Sequence, residues 1–514
     1  MRVDVLIVGA GPAGLAAAIE LGHRGVSCLA IEQHDRVGVA PRAKTTNVRT
    51  REHLRRWGIA GELAAASPLG VDYPSNIVFA TRLTGFELCR FENASYCAPG
   101  KNPLYSEHGQ WIPQYELERV LKAHAESLPG VRIQFGRRLE AFTQDEGGVH
   151  ARVGGDTIAC NYLIGADGSR STVRSLIGAT LSGATLARHC NTIFRAPGIS
   201  RAHNLGPATM YWLVNRDAPS LTGPMDKGDT WFFGATLPEG KTLEGEGAKQ
   251  LIRQATGVEL PIELLSNDEW VAQRLSADRY RDRRVFLAGD ACHVHPPFGG
   301  YGMNMGIADA VDLGWKIAAV LQGWGGPRLL ASYEAERRPV HEFVMDEAVA
   351  NHALLPKHLW QPGLDEATPE GTRLRAEVGA AIKAAKVREF NTLGVVLGYN
   401  YSGSPIVVED GSAPPPRHYK DYVPSAHPGC LAPHAWLGDG CSLYDQFGAG
   451  FTLLVTDGSP APGINTRVPL KVLHEPGVRE LYQARYALIR PDQHVAWRGD
   501  ALLHDVFDRI TGRP

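Results

Sequence analysis

No two of the eight cysteines, Cys28, Cys89, Cys97, Cys160, Cys190, Cys292, Cys430 and Cys441, stand in a CxxC pair. That spacing excludes a dithiol redox motif and a disulfide framework, and it fits unpaired thiols in a reducing compartment. No apolar run approaches the ~18 residues a membrane span requires. An excess of either charge is missing too: 53 Lys and Arg stand against 55 Asp and Glu, a net charge of −2. With a pI near 6.8, neither nucleic acid nor an anionic membrane is expected as the main partner. There are no internal repeats. The sequence enters an apolar strand at once, which leaves no room for a signal peptide, so a cytoplasmic protein is expected. What remains is ordinary globular material. At 44% apolar and 21% charged over 514 residues, it suffices for two to four domains and a large core.

The most informative stretch comes first. Residues 2–8 read as a buried strand, Gly9-Ala-Gly11-Pro12-Ala13-Gly14 as a turn, and the apolar run after it as a helix. A second apolar strand, residues 27–31, ends on Glu32-Gln33. Each glycine has a reason: Gly9 for the tight turn, Gly11 for close approach of a pyrophosphate, Gly14 for helix–strand packing. The helix N-terminus offers free N–H groups and a positive dipole end to phosphate. Glu32 stands 21 residues after Gly11, about the ~20 at which an acid accepts a ribose diol. This half of the motif implies a bound dinucleotide.

Beyond it, Pro41-Arg42-Ala43-Lys44 opens a basic loop that continues into a helix over residues 50–57, stopped by Gly58. Arg42, Lys44, Arg49 and Arg51 read as a solvated face, or, for Arg42, as a guanidinium against diphosphate. Residues 71–110 are strand pieces forming an excursion, and Pro113-Gln114 opens a returning helix. Strand pieces at 131–135, 149–153 and 162–164 lead to a second signature, Gly165-Ala166-Asp167-Gly168-Ser169-Arg170. Residues 180–275 alternate like a half-exposed antiparallel sheet, in which Tyr211, Trp212, Trp231 and Phe232 line a pocket or fill the sheet core.

A third strand then ends on Gly289-Asp290, followed by Cys292-His293-Val294-His295-Pro296-Pro297-Phe298-Gly299-Gly300 and a helix over 303–321. It feeds another helix N-terminus. Residues 333–395 read helical, 397–428 as a Pro- and Gly-rich linker, and 429–514 as a last unit with strands at 451–455, 486–490 and 495–498.

With these three signatures in order, the chain resembles the FAD-dependent aromatic hydroxylases of the para-hydroxybenzoate hydroxylase type. The C-terminal unit resembles the thioredoxin-like appendage of the phenol and polyketide hydroxylase branch. The resemblance implies an α/β fold: a Rossmann-like FAD-binding domain interleaved with a mixed β-sheet substrate domain, plus a C-terminal thioredoxin-like α/β domain. Its expected pieces are 1–75, 105–178 and 276–345 for FAD, 76–104 and 179–275 for substrate, a helical segment 346–398, a linker 399–428, and the unit 429–514. It implies FAD and NADPH or NADH as cofactors, and a small aromatic substrate and molecular oxygen as partners. It leaves room for a homodimer.

The resemblance assigns Gly9, Gly11, Pro12, Ala13, Gly14, Glu32, Gln33, Arg42, Gln114, Asp167, Gly289, Asp290, Pro297, Gly302, Met303 and Asn304 to the cofactor. It further implies that NAD(P)H reduces FAD, that oxygen adds as a flavin C4a-hydroperoxide, and that this species hydroxylates a phenolic ring. Because flavin carries the hard step, the protein needs few catalytic groups. The N–H groups of Met303 and Asn304 would stabilise the anionic reduced ring, and Pro296 with Pro297 and Phe298 would exclude water. A base would draw the phenol proton; His295, Tyr211, Tyr301, Arg216 and Asp226 are the candidates, His295 and Tyr211 foremost. No metal is expected, since Cys292, His293 and His295 offer three ligands within one turn. Asp309 and Asp312 read as solvent-facing or salt-bridged. The alternative to a phenol hydroxylase is the same flavin chemistry, including epoxidation or Baeyer–Villiger oxygenation, on a polycyclic natural product. A flavin halogenase is set aside, because no Trp-x-Trp-x-Ile-Pro segment occurs.

Overall fold

A computed structural model describes the chain except residues 36–42, 238–239, 241 and 354 and the side chain of Lys357. The chain opens with β1 (Arg2–Val8), α1 (Pro12–Gly22) and β2 (Cys28–Ile31). The strand β3 (Thr45–Thr46) and helices α2 (Val48–Arg56) and α3 (Ala60–Ala65) lead to β4 (Ile77–Ala80) and β5 (Glu87–Phe91). It returns through β6 (Gln110–Trp111), α4 (Gln114–Ser127), β7 (Val131–Gln134), β8 (Leu139–Gln144), β9 (Val149–Val153), β10 (Asp156–Gly165) and α5 (Thr172–Leu176). A second excursion holds β11 (Leu181–Arg195), β12 (Met210–Leu213), β13 (Ser220–Pro224), β14 (Thr230–Thr236), α6 (Gly245–Thr256) and β15 (Glu263–Ala277). Then come β16 (Arg281–Asp282), β17 (Val285–Leu287), β18 (His293–Val294), α7 (Gly302–Leu321), α8 (Pro327–His352), α9 (Pro356–Leu359), α10 (Pro369–Phe390) and α11 (Leu393–Val396). The tail carries β19 (Phe451–Val455), β20 (Leu470–His474), α12 (Arg479–Tyr482), β21 (Tyr486–Ile489), β22 (Val495–Gly499) and α13 (Val506–Ile510).

The first sheet runs β16-β17-β10-β1-β2-β7, with β8 and β9 attached to β10. Its inner pairs, β17–β10, β10–β1, β1–β2 and β2–β7, are all parallel. Parallel strands are covered on both faces, which is why β1 and β2 read as nearly unbroken apolar runs. The second sheet, β18-β15-β11-β14-β13-β12-β4-β5, joins the two excursions through the parallel pair β12–β4. The sequence under-reads this sheet: β11 and β15 are fifteen residues each and pair along their whole length. The helix expected at 50–57 begins two residues earlier because Asn47 caps it, its Oδ1 accepting the Thr50 N–H at 2.9 Å.

The basic stretch is not a solvated face. Arg49 and Arg51 are both 2% exposed. Arg51 bonds Glu107 and the Ala60 carbonyl, while Arg49 reaches Glu52, Gln493 and the Asp492 carbonyl. Arg49 thereby ties α2 to the C-terminal unit. A second buried knot does the same for α7 and α8. Arg490 donates to Glu336 (2.7 and 2.9 Å), Asp312 (3.0 Å) and Asp492 (2.6 Å), and Lys316 to Asp312 at 2.8 Å. Three carboxylates face two cations here. Burial, reinforced by Glu336 and Asp492, pushes the Asp312 carboxyl well above its ordinary value. Around it Trp315 and Leu329 pack on Phe451, Leu453 and Leu488 of the four-stranded C-terminal sheet. In that sheet β19 and β20 are parallel, but an irregular segment rather than a helix links them.

Glu20, in the middle of α1, shows how a buried acid is kept ionised. Burial pushes its carboxyl up, yet Arg56 and Arg24 outweigh that and hold it at about 2. Arg24 and Arg56 donate at 2.6 and 2.7 Å and the Trp57 indole N–H at 3.0 Å. A carboxyl whose pKa is depressed on folding stabilises above its unfolded value and loses that contribution as pH falls through the folded one. Stability should therefore drop by about 3 kcal/mol between pH 4.5 and 2 from this group alone. Urea midpoints across that range check this: wild type should lose stability more steeply than Glu20→Gln.

Candidate active site

The nucleotide end is built by the turn after β1. Gly9 sits at φ +103°, and a Cβ there would strike the Ala166 carbonyl; one on Gly14 would strike the Gly9 carbonyl. Packing alone therefore demands glycine at both places. Gly11 is different: its φ is −76°, and a Cβ would meet nothing within 4 Å. Backbone lying open in front of α1, whose first turn has Pro12 and no side-chain cap, is a cradle for a diphosphate. Glu32, at the end of β2, accepts the Ala10 N–H at 3.1 Å and the His34 N–H at 3.0 Å. Its carboxylate thus sits beside the turn, and Gln33 follows it on the exposed side. Ala13 lies under the third signature: its Cβ would come within 3.2 Å of a Cβ on Gly289.

The second and third signatures are bound together. Asp167 braces the start of α5, accepting the hydroxyl of its N-cap Ser171 at 2.5 Å and the Val173 N–H at 3.0 Å. Burial raises its pKa. Arg174 of the same segment donates to the Ala291 carbonyl at 3.1 Å and to that of Ser169 at 2.8 Å, so the two turns hold each other. Gly289 turns at φ +62° and leaves Asp290 exposed beside it.

Beneath this turn lies a group whose role the sequence left undefined. Asp309 of α7, expected to be solvent-facing or salt-bridged, is wholly buried and salt-bridged. Its Oδ2 accepts His293 Nε2 at 2.6 Å and the Gly289 N–H at 3.0 Å. Its Oδ1 accepts Arg337 Nε at 2.7 Å and His341 Nε2 at 2.8 Å. Burial works against the charge, but His341, His293 and Arg337 keep Asp309 well below the usual carboxylate range. Asp312 is likewise buried and paired, not exposed. Nitrogens of His293, His295 and His341 lie within 4.8 Å of one another, yet two of those rings spend Nε2 on Asp309. Cys292 donates to the Gly289 carbonyl at 3.4 Å, and burial raises its pKa well above normal, so it offers no thiolate.

At the start of α7 the first helical bond runs from the Met305 N–H to the Tyr301 carbonyl. The N–H groups of Gly302, Met303 and Asn304 precede it and no side chain caps them. The Asn304 side chain is a clamp: Nδ2 donates to the carbonyls of Gly300 (2.7 Å) and Thr45 (3.0 Å), and Oδ1 accepts the Asn47 N–H at 3.0 Å. Gln114 holds the preceding residue, its Oε1 accepting the Ala43 N–H at 3.1 Å. Residues 43–47 are thus pinned between the α7 loop and the start of α4. Arg42, expected at the cofactor, lies outside the described residues. In the loop, Pro296 is buried and Pro297 exposed, and Phe298 packs with Trp212 and Phe79 of the second sheet.

That sheet has two faces. Trp212 and Phe232 turn toward the cofactor domain: Phe232 packs with Ile193, Met225, Trp111 and Tyr115. Tyr211 and Trp231 stack at 5.6 Å on the opposite face, in the core beneath α6. The expectation of Tyr211 as a base is therefore corrected. Its hydroxyl donates to the Gly206 carbonyl at 2.6 Å, and burial raises its pKa. His295 turns its ring against His293 (4.9 Å) and His341 (5.7 Å) behind the loop. Burial and those two rings hold its pKa well below normal, which leaves it neutral and a poor proton acceptor.

The fold and site define a dinucleotide-binding α/β protein, with a strand–turn–helix cradle and a second helix N-terminus opposed by an aromatic sheet face. The FAD binding domain family matches residues 2–348, and the aromatic-ring hydroxylase C-terminal family matches residues 425–514. The chain belongs to the FAD-dependent aromatic hydroxylases and is an FAD-dependent monooxygenase. It is 33% identical to tetracenomycin A2 monooxygenase-dioxygenase of Streptomyces glaucescens, covering 99% of this chain and 95% of that one. It is 30% identical to phenol 2-monooxygenase of Pseudomonas sp. (strain EST1001), covering 100% and 93%. Among solved structures, the rebeccamycin biosynthetic enzyme RebC with reduced flavin superposes with a TM-score of 0.90 at 32% identity, over 100% of this chain and 99% of that one. No helix among the described residues is long and apolar enough to cross a membrane.

Proposed function

We propose that the chain uses reduced nicotinamide and oxygen to hydroxylate a phenolic ring carried in a polycyclic natural product. The observation that carries the reading is the aromatic face of the second sheet. The buried Phe232 and Met225 pack with the half-buried Trp111 and Tyr115 in one apolar cluster, a wall suited to a flat aromatic ligand. The likeness to tetracenomycin A2 monooxygenase-dioxygenase supports a fused-ring substrate; the likeness to phenol 2-monooxygenase supports a single ring as the second reading.

Bound FAD supplies the reduction and oxygen chemistry that no side chain here provides. The residues present fit it: Gly11 leaves open the space a Cβ would fill, and Glu32 stands at the same turn. The chain's own work is then positional. Gly9, Gly11, Pro12, Ala13 and Gly14 would hold diphosphate, and Glu32, with Gln33 beside it, the ribose. Backbone N–H groups of Gly302, Met303 and Asn304 would present positive potential to the ring system. Asn304 and Gln114 keep residues 43–47 in place. Pro296, Pro297 and Phe298 would exclude water from the reacting centre.

NAD(P)H oxidation by the purified yellow protein tests the reading, with simple phenols and hydroxyanthraquinones as effectors and peroxide followed in parallel. A hydroxyanthraquinone should raise the rate at least tenfold with little peroxide. Stimulation by simple phenols alone moves the assignment to the single-ring reading. No stimulation by either class contradicts both.

A further inference from the structure

The second sheet and the cofactor domain meet at one cation. Lys44 leaves the clamped segment 43–47, its carbonyl accepting the Ile112 N–H at 2.8 Å. Its Nζ then lies 4.1 Å from the centroid of the Phe232 ring. Most charged side chains in the interior of this chain are matched: Arg49 by Glu52, Arg51 by Glu107, Lys316 by Asp312 and Glu336, Arg337 by Asp309, Lys386 by Glu389. Lys44 has no carboxylate partner and no hydrogen-bond acceptor among the described residues. Lys44 is half-buried, and a cation–π contact worth about 0.5–2 kcal/mol leaves its ammonium free to take an anionic partner. Lys44 also sits two residues from Thr46 on β3, whose partner β6 ends in Trp111 of the aromatic cluster.

We propose that Lys44 binds an anionic oxygen of the aromatic substrate, the phenolate of the ring to be hydroxylated or a carboxylate beside it, and so sets both its orientation and its ionisation. The assignment rests on the reading of this face as the substrate wall. An ammonium next to the hydroxyl favours the phenolate, the more nucleophilic form, with the proton passing to solvent. With the two foremost base candidates otherwise engaged, Tyr211 tied to Gly206 and His295 facing His293, the site would work by stabilising the anion. Burial brings Lys44 down to about 8, so it stays largely protonated at neutral pH. The titratable side chain of the cluster is Tyr115, whose hydroxyl is pushed up by burial and by Glu116 and Asp226; it remains neutral and does not compete for the charge.

The test uses holoenzyme, wild type, Lys44→Met and Lys44→Arg, with FAD content read from the visible spectrum of each. The probes are a dihydroxyanthraquinone, its dimethyl ether, and anthraquinone-2-carboxylate. Wild type should bind the dihydroxy compound with the red-shifted absorption of its anion. Lys44→Met should weaken that binding at least tenfold and abolish the shift, while ether affinity stays within twofold; Lys44→Arg should retain both. A loss for the carboxylate probe but not the hydroxy probe identifies the anion as a carboxylate. Equal weakening of phenol and ether, or an unchanged shift in Lys44→Met together with unchanged binding of the carboxylate probe, overturns the proposal while substrate-stimulated NAD(P)H oxidation by wild type leaves the functional reading standing. Failure of wild type both to bind any probe and to respond in that oxidation assay overturns the two together.

Discussion

Gly11→Leu yields a colourless protein that is still folded. Residue 11 has an extended backbone open to any side chain, and nothing stands within 4 Å of a Cβ there. The apo protein should lose little more than the N-cap preference for glycine, about 1 kcal/mol. The side chain would instead occupy the place where diphosphate lies against backbone N–H groups, and FAD affinity should fall at least a hundredfold. Gly14→Leu gives the contrasting result. A Cβ at residue 14 overlaps the Gly9 carbonyl, so that variant should fail to fold with or without cofactor. Flavin content together with apo melting temperature separates the two. A Gly11→Leu protein that purifies yellow with normal affinity would remove the nucleotide from this turn.

Asp309→Ala should be the most damaging change remote from the ligands. Four donors converge on that carboxylate, from His293, His341, Arg337 and the Gly289 backbone. Removing it strands the Arg337 guanidinium in a site with no exposure. Breaking a buried pair by deleting one partner costs about 3–5 kcal/mol, and here the Gly289 turn loses its anchor as well. Both the denaturant midpoint and FAD retention should drop. Glu263→Ala, which removes the exposed partner of Arg195, should leave both unchanged, because exposed pairs contribute little. If Asp309→Ala kept its midpoint and its flavin, the hub would have no role in shaping the site.

The parts of this molecule legible in the sequence are those in which one local pattern carries the whole signal. β1, Gly9 to Gly14 and Glu32 form such a pattern, as do β9 and β19, whose bounds agree with the strands read at 149–153 and 451–455. What was not legible depends on partners far away in sequence. Arg49 and Arg51 read as surface because their counter-charges and acceptors at Glu107, Asp492 and Gln493 lie up to hundreds of residues away. Asp309 read as an ordinary helix acid because His341 and Arg337 come from another helix. Tyr211 read as a candidate base because strand alternation reveals two faces but not which one packs on the Phe298 loop; Trp212 does, and Tyr211 does not. Lys44 was one basic residue among four until Phe232, some 190 residues later, was brought against it.

The measurement that tests the central claim most directly is the fate of the oxygen atoms. Turnover under ¹⁸O₂ with FAD, NAD(P)H and a hydroxyanthraquinone that stimulates oxidation should place one ¹⁸O atom in the product per nicotinamide consumed, by mass spectrometry. Product oxygen drawn from water, or nicotinamide consumed with peroxide as the sole oxygen product, would contradict an aromatic monooxygenase acting at this site.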